Sequence, residues 1–174
     1  DSNYNILNYN IKLNSLDKII ISKNRFLSDE VSKKDIQIFS NNSAASSNLS
    51  NLDKKHVKLY SSANNLKIDF IESLQSTILE SEVDTELINN PFYWIYAQGY
   101  EYKIINGSKN LFNGSPPVVI AYSPLLNKNN NTDSSSFTKL MVELGYKNLI
   151  DLQSKTCENI KLYEEYLYYL DKKL

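Results

Sequence analysis

Apolar residues change their spacing near residue 126, and that change restricts the architecture more than any other feature of the chain. Upstream, short β-branched and aromatic runs are mixed with helical spacings. Leu16 to Ser22 reads as a buried strand and Val57 to Tyr60 as another. Asp29 to Phe39 reads as a helix. Leu66 to Glu82 places Ile68, Ile71, Leu74 and Ile78 at near-helical spacing, and Asn89-Asn90-Pro91 would stop that helix. Asn41 to Asn51 has no large apolar residue before Leu49 and reads as a surface loop. An aromatic stretch follows, with Phe92, Tyr93, Trp94, Tyr96, Tyr100 and Tyr102 interrupted by Gly99; its second half, Tyr100 to Ile105, reads as a strand. Asn-Gly-Ser turns are expected at Asn106 and Asn113, and Val118 to Tyr122 is the clearest strand.

Downstream, from Asp133, the pattern is helical. Asn127 to Asn131 reads as a polar loop. Asp133 or Ser134 can cap a helix whose apolar face holds Phe137, Leu140, Met141 and Leu144, and Gly145 sits where it should stop. Short helices are expected around Lys147 to Leu152 and Lys155 to Ile160. A last helix carries Ile160, Tyr163, Leu167, Leu170 and Leu174 at steps of three and four. The expected organisation is a flexible arm at 1–15, an α/β domain at 16–126, and a helical subdomain at 127–174.

With 174 residues, 41% of them hydrophobic, the chain can fill a core, so global disorder is not expected. No apolar run approaches the ~18 residues of a membrane span. The longest, Pro116 to Leu126, is broken by Tyr122, Ser123 and Pro124, and no signal-peptide pattern opens the chain. A single cysteine, Cys157, excludes an internal disulfide, and together with the single histidine, His56, it is too little for a zinc centre. A soluble protein of a reducing compartment is expected, with no cofactor and no metal. The net charge is −1 and Arg25 is the sole arginine, so bulk charge makes no case for nucleic acid; a DNA surface would have to be local.

Catalytic signatures are sparse. None of the four glycines falls in the G-x-G spacing of a phosphate loop. Cys157 with distant His56 reads as a lone thiol on a helix side rather than a dyad. Asp29, Glu30 and Asp35, with Lys33 and Lys34 between them, resemble a metal-nuclease set in composition, but a solvated helix face explains them more simply. The aromatic stretch at 92–102 could stack bases, though core packing is the commoner use of such density. The tyrosines of the last helix, Tyr163, Tyr166, Tyr168 and Tyr169, cover more than one face, as an interface would.

One stretch carries a resemblance. Asn131-Thr132-Asp133-Ser134, the run Phe137 to Leu144, Gly145, then Tyr146-Lys147-Asn148-Leu149-Ile150-Asp151-Leu152 and Ser154 to Ile160 resemble a tandem helix-hairpin-helix domain. The version it resembles is that of the XPF endonuclease family and its non-catalytic partner subunit. Val118 to Pro124 is similar to the last core strand of that family's nuclease-like domain. The chain has no Gly-Asp pair and no Glu-Arg-Lys, so the resemblance implies the inactive subunit. A second Gly-x-Gly hairpin is also missing, because Ile160 runs directly into the last helix. The resemblance therefore implies a nuclease-like α/β domain followed by a helix-hairpin-helix subdomain, in a heterodimer with an XPF-like subunit. It implies binding of branched DNA in the nucleus, in meiotic recombination, crossover formation and synapsis. The implied DNA-binding residues are Lys139, Gly145, Tyr146, Lys147 and Lys155. The implied partner interface is Phe137, Leu144, Tyr163, Tyr166, Leu167 and Leu170. The alternative is a protein–protein interaction module with no DNA affinity of its own.

Overall fold

A computed structural model describes residues 2–39, 68–152 and 156–159. Over these residues the expected mixed α/β class is observed. The final tyrosine-rich helix, the 41–51 loop, the 57–60 strand and Lys155 lie outside the described residues.

The chain opens with helix α1 (Ser2–Leu13), where a flexible arm was expected. Its asparagine-rich sequence hides an anchor. Ile11 is buried, the Tyr4 hydroxyl donates to the Ser22 carbonyl at 3.4 Å, and the Ser22 hydroxyl donates to Asn8 Oδ1 at 2.7 Å. The segment Leu16 to Ser22 is not a strand. Its β-branched run pairs with no strand among the described residues, Ile19 and Ile20 turn back onto the Leu16 carbonyl, and Ile19 and Ile21 stand exposed. Propensity without a neighbour to pair with does not make a strand.

Strand β1 (Phe26–Leu27), β2 (Lys33–Phe39) and β3 (Ile68–Thr77) form one sheet in the order β1-β3-β2. β1 runs parallel to β3 and β2 antiparallel to it. Both long strands were expected to be helices. The apolar residues of β3 do fall three and four apart, but β2 offers an antiparallel partner from Lys33↔Gln75 to Phe39↔Ile68, and the ladder wins. Ile36 and Ile38, two apart, carried the competing period-two signal. Fully buried Ser76 fastens the loop between β1 and β2. It receives the Ser32 amide at 3.0 Å, and its hydroxyl lies 2.7 Å from the Glu30 carbonyl and 2.9 Å from that of Ser32.

After the short helix α2 (Leu79–Glu82) and a 3-10 turn at Thr85–Leu87 comes a βαβ unit. Strand β4 (Tyr93–Ile95) leads into helices α3 (Glu101–Gly107) and α4 (Lys109–Phe112), then into β5 (Val118–Ile120), which lies parallel to β4. Residues 101–105 are thus helix, with Tyr100 as its N-cap, and not strand. Ile104 and Ile105, adjacent and buried, are both needed because α3 is packed on more than one side. The Asn127 to Asn131 segment, expected as a loop, is largely helix α5 (Pro124–Asn129), which starts on a proline whose fixed φ suits a first turn.

Helix α6 (Ser134–Glu143) forms as expected, with the Asp133 carboxyl accepting the Ser136 amide at 2.7 Å. That bond leads the causes holding the Asp133 carboxyl below its usual range. The two short helices expected beyond Gly145 are instead an antiparallel strand pair, β6 (Asn148–Asp151) and β7 (Thr156–Asn159), in register from Asn148↔Asn159 to Asp151↔Thr156. Among the described residues a helix therefore flanks only one side of the Gly145 turn, and strands stand where the two further helices were expected.

The core joins what the sequence pattern separated. Ile95, Tyr100, Ile104, Ile105, Leu111 and Phe112 pack with Phe137, Leu140, Met141 and Leu144 of α6, so the boundary expected after residue 126 runs through one cluster. Ring contacts extend it: Tyr93 to Phe112 at 4.7 Å, Tyr122 edge-on to Phe137 at 5.7 Å, and Phe26 of the first sheet edge-on to Tyr100 at 5.0 Å. Phe112, fully buried, sits at the middle of this packing. Phe112→Ala is expected to cost ~3–5 kcal/mol of unfolding free energy, read as a lower urea midpoint without loss of the cooperative transition.

Candidate functional site

The βαβ unit offers two surfaces worth building from the residues upward. The first is the outward side of β4. Side chains alternate along a strand, so Tyr93 and Ile95 turn into the core while Phe92, Trp94 and Tyr96 share the other face. Those three are 60%, 70% and 68% exposed. Trp94 lies opposite Val119 of β5 in the parallel register. Parallel strands are ordinarily covered on both faces, so a bare aromatic row on one is unusual. The alternation was present in the sequence, but it was hidden within an unbroken aromatic run whose inward and outward members look alike.

The second surface is the carboxyl end of the same strands, the edge from which α/β proteins present ligand-contacting loops. There the chain turns sharply: Gln98 has φ 51° and Gly99 φ 91°. Glu101, 1% exposed, holds the turn with both carboxyl oxygens, accepting the Ala97 amide at 2.7 Å and the Gly99 amide at 2.9 Å. Burial pushes its carboxyl above the usual range, partly opposed by those amide bonds. From the other side the Asn130 amide donates to the carbonyls of Gly99 at 3.1 Å and Leu126 at 3.0 Å. A Cβ on Gly99 would stand 2.6 Å from the Leu126 backbone, so both conformation and space require glycine. Nearby in sequence, Asn127 is fully buried, and neither end of its side-chain amide has a hydrogen-bond partner among the described residues. A buried amide in that state is costly unless a water or ligand group meets it.

The residues implied for DNA binding divide differently. Lys139 and Lys147 are exposed. Gly145, with φ 89°, is the left-handed residue that ends α6. Its N–H donates to the Val142 carbonyl and that of Tyr146 to the Met141 carbonyl, each at 3.0 Å, so neither amide is free to meet a phosphate. The Tyr146 hydroxyl donates to the Pro116 carbonyl at 2.6 Å; burial first, then Tyr93, pushes it up to about 12. Tyr146 is thus a brace between β5 and the end of α6. Phe137 and Leu144, expected at a partner interface, are 5% and 6% exposed and belong to this chain's own core. Tyr163, Tyr166, Leu167 and Leu170 lie outside the described residues, as does Lys155.

Asp29, Glu30 and Asp35 do not converge. Asp29 accepts the Ser28 hydroxyl at 2.9 Å, Asp35 accepts that of Ser73, and Glu30 pairs with Lys34 at 2.7 Å. The Lys34 hydrogen bond, more than its charge, holds the Glu30 carboxyl below its usual range. Among the described residues no group of three potential metal ligands comes together, and no helix is long and apolar enough to cross a membrane. Comparison with protein-family models, with curated proteins and with solved structures finds no match to this chain.

Two outcomes test the turn. Gly114, also at positive φ, has open space around it, so Gly114→Ala should cost only the ~1–2 kcal/mol of left-handed strain. Gly99→Ala should cost a further ~1–3 kcal/mol from overpacking against Leu126, measured by urea denaturation of both variants. Glu101 makes the second. Its folded form keeps its proton to higher pH than the unfolded form, so its contribution is fully present below the ordinary glutamate range. That contribution falls as pH rises through the raised value. The stability gap between the native chain and Glu101→Gln is expected to narrow over that rise.

Proposed function

We propose that the chain is a non-enzymatic binding module whose partner is another polypeptide, seated on the outward face of the β4–β5 pair. The observation that carries this reading is the bare row of Phe92, Trp94 and Tyr96 on a parallel strand. Aromatic side chains bring large contact areas at low entropic cost, and tryptophan and tyrosine recur where binding energy concentrates. The row is rigid before any partner arrives, because Tyr93 and Ile95 between its members are anchored in the core.

The XPF-like resemblance supports a different partner, branched DNA beside an XPF-like subunit in meiotic recombination. What supports it is the likeness of the sequence over about residues 116–160, together with the exposed charges of Lys139 and Lys147. The two readings separate cleanly in one experiment. A photo-crosslinking residue placed at position 94 in cells of the source organism should give one discrete protein adduct. Trp94→Ser, which leaves the core untouched, should weaken that partner by about 30-fold, the ~2 kcal/mol of a strong interface residue. In parallel, anisotropy with a four-way junction should show no binding that depends on lysine. Junction binding abolished by Lys139→Glu with Lys147→Glu, with no adduct at position 94, would reverse the conclusion in favour of DNA.

A second reading is favoured by the braced turn at Gln98 and Gly99 and the unmet amide of Asn127: a small polar ligand held at the carboxyl ends of β4 and β5. Its signature is thermal stabilisation by a small-molecule panel that Trp94→Ser leaves intact.

A further inference from the structure

The chain contains the triplet Asn-Gly-Ser twice, at Asn106 and at Asn113, and the structure puts the two copies in opposite environments. Asn106 and Gly107 form the last two residues of α3, where peptide N–H groups still point back along the helix. Gly107 is also pressed against the first sheet's loop, since a Cβ there would stand 2.5 Å from Asp29 Cα and 2.9 Å from the Ser28 carbonyl. Asn113 and Gly114 form an exposed turn instead. Asn113 has φ −60° and ψ 136°, Gly114 has φ 83°, and the Ser115 amide closes the turn on the Phe112 carbonyl at 3.1 Å. These are the angles of a type II turn with glycine at its third position. The Gly114 N–H donates to no backbone carbonyl among the described residues, and nothing lies within 4 Å of where a Cβ on Gly114 would stand.

We propose that Asn113 is a site of spontaneous covalent modification, converting through a cyclic imide to aspartyl and isoaspartyl residues while Asn106 is protected. The central peptide of a type II turn can flip by coupled rotation of ψ at the second residue and φ at the third, and glycine accepts both end states. One direction of that flip carries the Gly114 nitrogen past the Asn113 side-chain carbonyl carbon. The nitrogen, having lost its proton to base, attacks that carbon. A nitrogen–carbon bond forms, the side-chain carbon–nitrogen bond breaks, and ammonia leaves with the proton it needs. Water then opens the five-membered imide. Addition at the side-chain carbonyl yields an aspartyl residue. Addition at the main-chain carbonyl yields an isoaspartyl residue, whose backbone is longer by one methylene. No oxidant or enzyme is required, and the step is faster in mild alkali because the amide must first lose its proton.

The placement gives the reaction a structural effect. Two residues on, the Ser115 hydroxyl donates to the Leu144 carbonyl at 2.9 Å, tying the entry of β5 to the end of α6. A new carboxylate and an extra methylene at position 113 alter the path of the chain into that tie.

The test is to hold the folded chain at mildly alkaline pH and follow both asparagines by peptide mapping with mass spectrometry, with isoaspartyl and aspartyl products separated by retention. A urea-unfolded sample and an Asn113→Gln variant run alongside. The expected result is conversion at Asn113 at least about tenfold faster than at Asn106 in the folded chain, with the two rates converging in urea. Asn113→Gln should remove the fast product and leave the fold intact. Equal rates in the folded chain, faster conversion at Asn106, or no conversion at Asn113 would each overturn the proposal.

Discussion

A buried carboxyl group accepting two backbone amides organises this molecule. Glu101 reaches back across the turn it follows and fixes Ala97 and Gly99, so the exit of β4 and the entry of α3 become one rigid corner. From that corner α3 carries Ile104 and Ile105 into the core, and Leu126 of α5 closes over Gly99 with no room for a side chain between them. The desolvation of Glu101 is the cost of this arrangement, and the two amides and the surrounding packing offset it. The ladder with β5 sets the direction of β4, and the corner fixes how the chain leaves it.

The aromatic row and the core are two sides of one strand, so the face proposed for docking depends on the packing beneath it. Tyr93 and Ile95 hold β4 down, and Phe92, Trp94 and Tyr96 stand out because their neighbours are held. An interface built this way gives up little conformational freedom on binding, because the strand carrying it is already ordered. The end of α6 is tied to the same framework by the Tyr146 hydroxyl on Pro116 and the Ser115 hydroxyl on Leu144. The region that resembled a DNA-binding hairpin thereby also braces the entry of β5.

Local signals with a single physical meaning were legible in the sequence. Asp133 capped its helix, Gly145 ended it, and Val118 to Ile120 paired as a strand. Signals that depend on a distant partner were not. Ile68, Ile71 and Leu74 carry helical spacing in a strand because β2 lies beside them, whereas Ile19 to Ile21 carry strand propensity but join no sheet among the described residues. Tyr100 to Ile105 looked extended because aromatic and β-branched residues favour strands. The first residue of its helix, Glu101, instead accepts the Ala97 and Gly99 amides of the preceding turn, bonds that no periodicity records. The candidate surface suffered the same way: six aromatics between 92 and 102 announce burial, and only the pleat distinguishes those facing in from those facing out.

Gly107 sets the mechanics between the two halves of the chain. There α3 meets the Ser28–Asp29 loop backbone to backbone, with no side chain interposed. Side chains at a contact act as springs, since rotamers can change to absorb a displacement. Bare backbones have no such compliance. With the Ser108 hydroxyl meeting the Glu80 amide at 3.0 Å and the Asn110 amide meeting the Glu80 carboxyl at 2.9 Å, the joint is a weld rather than a hinge. Any side chain added at Gly107 would therefore have to part α3 from the first sheet's loop, so the spacing between the two is set by backbone alone.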